Sequence, residues 1–484
     1  MGLRIWLAIA CLVPAAATPA SAQPSATPKQ RLFVLTDIEN EPDDTQSLIR
    51  LLLYSNEIDI EGLVATTSVH MKTRTAPETI RRIIGEYAKV QPNLSRHAPG
   101  YLAAAALDRL VARGQTTYGM GGVGAGKDSE GSRRLIAALD RPDPRPLWVT
   151  AWGGPNTLAQ ALHTLRATRS AAEVERLVAK LRVYTISDQD DSGAWMRREF
   201  PGLFYIVSPG GYGAATWTGM MAVVEGADNR TISNDWLATN IQQGHGPLGA
   251  AYPDVAYGME GDTPSFLGLI PNGLNVPERP DWGGWGGRYT LRTPPLAELD
   301  PKGFNGGVPI TAETRPIWTN TADKVTPPIA SPYGAAIRPG ERSYEGHRET
   351  IWRWRDDFQN DFAARMDWTT RAPGEANHPP VVRLGHAERL TARAGDRLTL
   401  SARGTNDPDG DSLSYHWFAY PEAGTCPGGI KLSGAESLYE RSITIPAFDR
   451  RCEAHFILRV TDKGSPPLTR YARVIVTVER ASGQ

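Results

Sequence analysis

Short apolar runs alternate with helical patterns over the first half of the chain. The apolar runs predict four buried strands, at residues 31–36, 58–65, 147–151 and 181–186. Apolar residues at helical spacing predict helices at residues 43–53, 77–84 and 157–165. Strands that alternate with helices in this way pair in parallel and are joined by crossovers. The pattern therefore predicts an α/β fold built on an open, mostly parallel sheet.

The pattern changes after the predicted sheet. Residues from about Met220 to Arg342 are rich in Gly, Pro and Trp and have weak periodicity, which indicates long loops that cover the sheet edge. Tyr344 to Asp367 is predicted to be a helix. The apolar stripe of that helix is predicted to face the core and consists of Ile351, Trp354, Phe358, Phe362 and Met366.

A second domain is predicted after the linker Asn377 to Pro380. Period-two alternation separated by turn residues follows this linker and favours a β-sandwich, with strands at 396–402, 413–420, 454–460 and 472–478. We therefore expect an α/β domain over residues 31–375 and an Ig-like β-sandwich over residues 377–484. The loop Asn406 to Asp411 resembles loops of bacterial Ig-like modules, some of which bind Ca²⁺, and it also fits a polar turn without metal.

Four of the predicted strands end in polar clusters. The clusters are Asp37–Asp44, Thr66–Ser68, Trp152–Asn156 and Ser187–Asp191. In a parallel sheet these ends lie along one edge, where open α/β sheets bind ligands, so the clusters should converge. The first cluster is the most informative, because its carboxylates repel one another and would have raised pKa values unless a cation neutralised them. Ca²⁺ or Mg²⁺ is the simplest such cation, and a solvated acidic loop is the alternative.

Charge and composition narrow the range of partners. Lys plus Arg total 52 against 53 acidic residues, which gives no electrostatic footprint for nucleic acid. The chain has 13 Trp and 16 Tyr against 10 Phe, and both side chains stack on sugar faces, which suits a carbohydrate partner. Core packing remains the commoner use of any single Trp.

The first 22 residues have the pattern of a secretory signal peptide. Arg4 carries the positive charge, Ile5 to Val13 form the apolar core, and Ala20 to Ala22 form the cleavage site. We expect a secreted or periplasmic protein that does not contact the membrane once the signal is removed. Cys426 and Cys452 then remain as a lone pair, which predicts a disulfide in an oxidising compartment; half a metal site is the alternative.

The acidic pattern Asp37-x-Glu39-x-x-x-Asp43-Asp44 resembles the signature of the nucleoside hydrolase superfamily, usually written with Asp in place of Glu39. More closely, the chain resembles a family of secreted bacterial proteins with a nucleoside hydrolase-like domain, described as cellulose-binding. The resemblance covers most of the mature chain. It rests on seven segments: Asp37–Asp44, Glu61–Thr67, Gly126–Ser132, Trp152–Thr157, Asp188–Asp191, Gly261–Ser265 and Asp281–Gly287.

The resemblance implies a Ca²⁺ ion that binds sugar hydroxyls and the attacking water. Glu39 corresponds to the general base and a metal ligand, and Asp43 to a catalytic residue that contacts the water or the sugar. The other metal ligands that it implies are Asp37, Asp44, Asp262 and the backbone carbonyl of Trp152. We therefore expect Glu39, Asp43, Asp44 and Asp262 to meet around one cation.

Two departures from the superfamily pattern concern catalysis. Glu39 is one methylene longer than Asp, and Gly261 stands where many members have a His that protonates the leaving base. Without that His, a sugar leaving group protonated by another acid becomes more plausible. The candidates to contact the substrate or supply that proton are Asn156, Asp188, Asp190, Asp191 and Glu260. The acids from Asp188 to Asp191 equally fit caps of the helix that follows them.

The sequence thus predicts an exported hydrolase that uses Ca²⁺ to cleave an N- or O-glycosidic bond of a furanosyl-type sugar, in a nucleoside or a carbohydrate. The rival prediction is a non-catalytic protein that binds cellulose or another cell-wall polysaccharide surface. A purely structural metal site at the sheet edge is a third alternative. Release of free sugar distinguishes the first prediction from the others.

Overall fold

The structure is a computed structural model that describes residues 28–299, 308, 310–327, 329–331, 334–338, 342–435 and 438–481. The predicted signal peptide over residues 1–22 lies outside the described residues. No helix within the described ranges is both long enough and apolar enough to cross a membrane.

An eight-stranded sheet forms the centre of the first domain. Its strands are β1 (Gln30–Thr36), β2 (Ile58–Ala65), β3 (Val111–Arg113), β4 (Leu147–Ala151), β5 (Leu181–Thr185), β6 (Phe204–Val207), β7 (Tyr289–Arg292) and β8 (Ile317–Asn320). The strand order is β3-β2-β1-β4-β5-β6-β8-β7, and only β7 runs antiparallel to its neighbour. The predicted mostly parallel α/β sheet is confirmed.

Helices cover both faces of this sheet. They are α1 (Pro42–Leu53), α2 (Pro77–His97), α3 (Ala104–Asp108), α4 (Glu130–Asp140), α5 (Asn156–Thr168), α6 (Ala171–Lys180), α7 (Ser192–Glu199), α8 (Asn234–Leu237), α9 (Gly246–Ala250), α10 (Pro264–Leu267), α11 (Leu296–Leu299), α12 (Glu349–Trp352) and α13 (Arg355–Asp367). Residues of β1 alternate between two separate cores, because successive strand side chains point to opposite faces. Leu32 and Val34 pack with α1, α2 and α13, whereas Phe33 and Leu35 pack with α4 to α7.

The region from Met220 to Asp367 differs from its prediction in two places. Part of the predicted loop region forms strands, and the predicted helix at its end is broken. Besides loops, it contributes β7 and β8 to the central sheet. The single helix predicted over 344–367 is wrong at its start, where Tyr344–Gly346 form a short strand, and helix begins only at Glu349. It is also interrupted at Trp354, where α12 has ended and α13 has not begun. Trp354 packs there against Tyr420 and Tyr471 of the second domain, at ring-centroid distances of 6.0 and 5.8 Å. These long-range contacts override the local helical pattern, although the predicted stripe is buried.

Two pairs of short strands lie between β8 and α12 of the first domain, and a β-sandwich forms the second domain. The short strands are β9 (Asp323–Val325), β10 (Ile329–Ser331), β11 (Gly334–Arg338) and β12 (Tyr344–Gly346). The sandwich strands are β13 (Arg389–Ala392), β14 (Arg397–Ser401), β15 (Leu413–Ala419), β16 (Leu432–Ser433), β17 (Glu440–Thr444), β18 (Cys452–Asp462) and β19 (Thr469–Val478). One sheet has the order β13-β19-β18-β15 and the other β14-β17-β16. The predicted C-terminal sandwich is confirmed, and the Cys426–Cys452 disulfide is present.

The sandwich packs directly on helix α13 through polar side chains. Asp357 is 4% exposed and accepts hydrogen bonds from Tyr471 and, at 3.1 Å, from the Thr469 hydroxyl. Asp361 is 2% exposed and accepts a hydrogen bond of 2.7 Å from Arg470. Asp357 is also paired with Arg459 of the sandwich, whereas Asp361 is bonded by Tyr54 and Arg365 of its own domain as well as by Arg470. The sandwich therefore neutralises part of the charge that is buried on α13.

Candidate functional site

The candidate site lies at the carboxyl ends of β1 and β4. Strand β1 lies between β2 and β4, so the order of the sheet reverses there, and open α/β sheets bind ligands at this point. Asp37 follows β1, and Gly153 lies two residues beyond β4. A Cβ atom on Gly153 would lie 2.7 Å from the Cβ of Asp37, so the two loops can approach this closely only with glycine at 153.

The polar ends of two further strands, β2 and β5, also converge there, as the alternation of strands and helices predicts. The Gly154 amide donates to the Thr67 carbonyl at 2.9 Å, which joins the loops after β4 and β2. A Cβ on Gly154 would lie 2.5 Å from Oδ2 of Asp190, which follows β5. The loops after four parallel strands therefore form one edge.

Three carboxylates from distant parts of the chain meet at this edge. Asp43 and Asp44 lie in the first turn of α1, and Asp262 precedes α10. One oxygen from each lies within 4.8 Å of the others. Oδ2 of Asp262 and Oδ2 of Asp37 are buried, and neither accepts a hydrogen bond from the described residues. Carboxylate oxygens are the kind of ligand that hard cations bind in proteins.

Electrostatics leave the cluster in need of positive charge. Burial raises the pKa of Asp37 to about 6 and that of Asp43 to about 7, and the neighbouring acids raise the pKa of Asp43 further. Burial, together with the charges of the other acids, holds the pKa values of Asp44 and Asp262 well above the usual range. These acids therefore take up protons more readily than exposed aspartates do, and a bound cation would favour their ionised forms.

Glu39 departs from the expected arrangement. Its backbone has a φ of 81°, and its side chain, 40% exposed, points to the guanidinium of Arg74 at 2.6 Å and to the hydroxyl of Thr79. Hydrogen bonds from Thr79 and Arg74 lower the pKa of Glu39. The expectation that Glu39 joins the three aspartates is therefore not met in this structure, because another pair of donors holds its carboxylate.

Trp152 and Asn156 lie beside the cluster but have partners within the protein. The Trp152 carbonyl, expected to bind metal, accepts a hydrogen bond from the Gln189 amide. The indole Nε1 of Trp152 donates to the Ser265 hydroxyl at 3.0 Å, and that hydroxyl donates to the Asp262 carbonyl at 2.6 Å. These bonds position the segment that carries Asp262. Asn156 donates to the Thr117 carbonyl at 2.9 Å, while its own Oδ1 is buried without a hydrogen bond from the described residues.

Two of the candidate acids are paired with buried arginines. Arg197 binds both oxygens of Asp188, at 2.8 and 2.7 Å. Glu260 is fully buried, forms an ion pair of 2.6 Å with Arg50, and accepts a hydrogen bond of 2.6 Å from Tyr252. Both carboxylates are thereby held by protein groups rather than presented to a ligand.

The other two candidate acids fix the loop before α7. Asp190 accepts hydrogen bonds from the backbone amides of Ser192 at 2.8 Å and Asn156 at 3.2 Å, and burial raises its pKa to about 7. Asp191 accepts one from the Met120 amide at 2.7 Å. The capping alternative therefore describes Asp190, whose oxygen satisfies the first amide of the helix.

Three aromatic side chains near the acids escaped the sequence analysis. The Tyr212 hydroxyl bonds Nε2 of His70 at 2.8 Å, and the Tyr212 ring lies 5.9 Å from that of Trp217. Burial, with the charges of Asp37 and other acids, raises the pKa of Tyr212. A Cβ on Gly261 would lie 2.9 Å from the Trp217 ring, so Trp217 fills the space of the missing histidine. None of the three lies in an acidic motif, so no sequence pattern marked them as site residues.

Comparison with known protein families matches both domains of this chain. The family described as "Cellulose-binding Sde182, nucleoside hydrolase-like domain" matches residues 31–289. The family described as "Cellulose-binding protein Sde0182, C-terminal domain" matches residues 397–478. The chain belongs to this cellulose-binding Sde182 family. The resemblance inferred from the seven segments is thus confirmed, and no curated protein matches the chain.

A solved structure extends the similarity to both domains of this Sde182-family chain. It is a nucleoside hydrolase-related hypothetical protein from Saccharophagus degradans, associated with carbohydrate metabolism. It is 36% identical, with a TM-score of 0.77, over 93% of this chain and 100% of that chain. The PKD domain of the KIAA 1837 protein is 23% identical over 21% of this chain and 89% of that one, with a TM-score of 0.16, which is too low to show a shared fold.

Proposed function

We propose that this protein is an exported glycosidase-like hydrolase that cleaves an N- or O-glycosidic bond of a furanosyl-type sugar. The observation that carries the proposal is the meeting of Asp43, Asp44 and Asp262 at the switch point of the sheet, within 4.8 Å of one another. Membership of a family with a nucleoside hydrolase-like domain supports it. A single disulfide fits a secreted or periplasmic location.

The donor set suits Ca²⁺. The three aspartates offer only oxygen, and Oδ2 of Asp262 is buried without a hydrogen bond from the described residues. Hard cations with six to eight oxygen ligands favour carboxylates of this kind. Asp43, Asp44 and Asp262 would hold the ion, with Asp37 beside them. When bound, Ca²⁺ would polarise water and the sugar hydroxyls.

The roles of the protein's own residues follow from their exposure. Asp43 is the only member of the three that is partly exposed, so it is the best placed to take a proton from water. Glu39 would first have to leave Arg74 and Thr79 to do so. The Tyr212 hydroxyl, bonded to His70, lies close to the acids and can donate to a departing group.

The alternative function is binding of cellulose or another polysaccharide without turnover. The description of the family as cellulose-binding favours it. The ion pair between Glu39 and Arg74 favours it as well, because it keeps the expected general base away from the three aspartates. A carbohydrate partner is common to both functions.

Turnover by the full-length protein tests the proposal. A panel of nucleosides and aryl furanosides would be incubated with Ca²⁺ and assayed for free reducing sugar. Asp43→Asn should lose about 10²–10⁴-fold in kcat without rescue by Ca²⁺. Asp44→Asn should lose activity that excess Ca²⁺ partly restores, because this change lowers the affinity of the site for Ca²⁺.

The control is Asp140→Asn, which removes an exposed carboxylate in α4, and it should keep wild-type activity. Glu39→Ala tests whether Glu39, as the family resemblance implies, or Asp43 is the general base. Near-normal turnover supports Asp43, and a loss equal to that of Asp43→Asn supports Glu39. Sedimentation with insoluble cellulose measures binding in parallel. Retained binding with no sugar released from any substrate would refute the hydrolase and favour the alternative.

A further inference from the structure

We propose a second cation site, of the Ca²⁺ class, where the interdomain linker meets the β-sandwich, with Asn377, Asp407 and Asp462 as its side-chain ligands. These three residues come from the linker, from the loop before β15 and from the end of β18. Each uses one side-chain atom to fix the backbone and leaves one buried oxygen without a hydrogen bond from the described residues.

Asp462 shows the division most clearly. The residue is 2% exposed. Its Oδ1 accepts hydrogen bonds from the amides of Gly464 at 3.0 Å and Leu468 at 2.9 Å, and from the side chain of Asn377 at 3.0 Å. Oδ1 is therefore saturated by donors, whereas Oδ2 is buried with none. A buried carboxylate oxygen with no donor is costly unless positive charge lies against it.

Asn377 presents an oxygen for the same reason. The residue is 7% exposed, and its amide nitrogen donates to Oδ1 of Asp462 and, at 2.8 Å, to the Pro466 carbonyl. Both neighbours are acceptors, so the nitrogen must face them, and the orientation of the amide is fixed. Its Oδ1 is left buried without a donor among the described residues. Amide oxygens are ordinary ligands of Ca²⁺.

Asp407 is brought to the same junction by strand-like pairing. The backbones of Val381 and Asn406 exchange hydrogen bonds of 2.8 and 3.2 Å, which ties the loop to the linker. Oδ1 of Asp407 accepts from the amides of Asp409 at 2.9 Å and Asp411 at 3.1 Å, and Oδ2 is buried without a donor. Asp409 of the same loop also accepts a hydrogen bond of 2.6 Å from the amide of His378, the residue after Asn377, which holds the loop against the linker.

The charge balance favours a cation over a structural ion pair. Neither Asp407 nor Asp462 forms an ion pair with Lys, Arg or His in the part of the chain that the structure describes. Two carboxylates and an amide oxygen thus share one buried junction, and a divalent cation satisfies all three at once. By binding Asn377 of the linker together with the two acids of the sandwich, it would also stiffen the connection between the domains.

Calorimetric titration of the full-length protein with Ca²⁺ tests the proposal. The background is Asp44→Asn/Asp262→Asn, which disables the acidic cluster at the sheet edge, so this test does not depend on the proposed function. One Ca²⁺ should still bind in that background and raise the melting temperature. Adding Asp407→Asn or Asp462→Asn should abolish both effects. Either asparagine keeps the acceptor that holds the backbone and replaces only the free oxygen.

The matched control is Asp449→Asn, an exposed aspartate of the same domain, which should leave binding unchanged. Limited proteolysis gives a second readout, because Ca²⁺ should slow cleavage between residues 371 and 381 only when Asp407 and Asp462 are intact. If the background protein takes up no Ca²⁺ at millimolar concentration, or if Asp407→Asn and Asp462→Asn bind it as tightly as Asp449→Asn does, the proposal is wrong. A failed hydrolase assay would leave these results untouched.

Discussion

Replacing Gly261 by histidine, which many nucleoside hydrolases carry at this position, should destabilise the protein as long as Trp217 is present. A Cβ on Gly261 would lie 2.9 Å from Cε3 of Trp217 and 3.2 Å from Oδ2 of Asp43. Carbon atoms pack best at about 3.5–4.0 Å, so the ring would have to move. It is held by its ring contact with Tyr212 and by a 3.1 Å hydrogen bond from its indole to Ser187.

The expected cost follows from this overlap. Inserting atoms into a packed region typically costs about 1–3 kcal/mol. For ~350 residues, an unfolding entropy of about 2.1 cal/mol/K per residue gives about 0.7 kcal/mol/K, so a loss of about 2 kcal/mol lowers Tm by about 3 °C. In a Trp217→Ala background, Gly261→His should cost less, since the ring is gone and only the 3.2 Å approach to Asp43 remains.

Thermal unfolding of the four members of this double-mutant cycle is the assay. Gly202→His is the control, because a Cβ there meets nothing within 4 Å. If Gly261→His melts at the wild-type temperature while Trp217 is present, Trp217 does not exclude the histidine and the reasoning fails. If the hydrolase is active, the double variant should also release nucleobases faster than Trp217→Ala alone.

Two further predictions concern the junction of the domains. A chain ending at Ala376 should lose cooperative thermal unfolding, because Asp357 and Asp361 would lose the partners that the sandwich supplies; a wild-type transition would contradict this. Burial, with Arg473 and other arginines, lowers the pKa of His455 to about 3, so its neutral form adds stability above about pH 6.5 that is lost toward pH 3. His455→Gln should therefore show a smaller fall in Tm between pH 7.5 and pH 5, and an equal fall would refute this.

The sequence predicts the position of the site because the fold constrains where strand ends lie. Apolar runs that alternate with helices specify a parallel sheet, and polar residues directly after each run must then share one edge. The same reasoning brings Gly154 against Asp190. Asp262 follows none of the strands, so its meeting with Asp44 was expected from the family resemblance alone.

Side-chain direction could not be predicted in the same way. Glu39 lies in the acidic motif, but its positive φ turns it toward Arg74 and Thr79, on the loop and helix after β2. Nothing in the spacing of the motif specifies those donors. Trp217 was missed for another reason, because it lies between the last predicted strand and the loop-rich region, where no pattern predicted an element or a site.

The buried acids near the site fall into two groups, those that have a positively charged partner and those that do not. Glu260 meets Arg50, 210 residues earlier in the chain, and becomes half of a buried ion pair. Asp262, two residues further on, meets other acids and keeps one oxygen without a donor among the described residues. The spacing of residues along the chain does not distinguish Glu260 from Asp262. The structure does, because a buried acid without a countercharge indicates a ligand site, whereas one with a countercharge forms an ion pair. An unpaired buried carboxylate has to be protonated, hydrated or bound to a cation, and Ca²⁺ titration of Asp262→Asn against the wild type decides among these states.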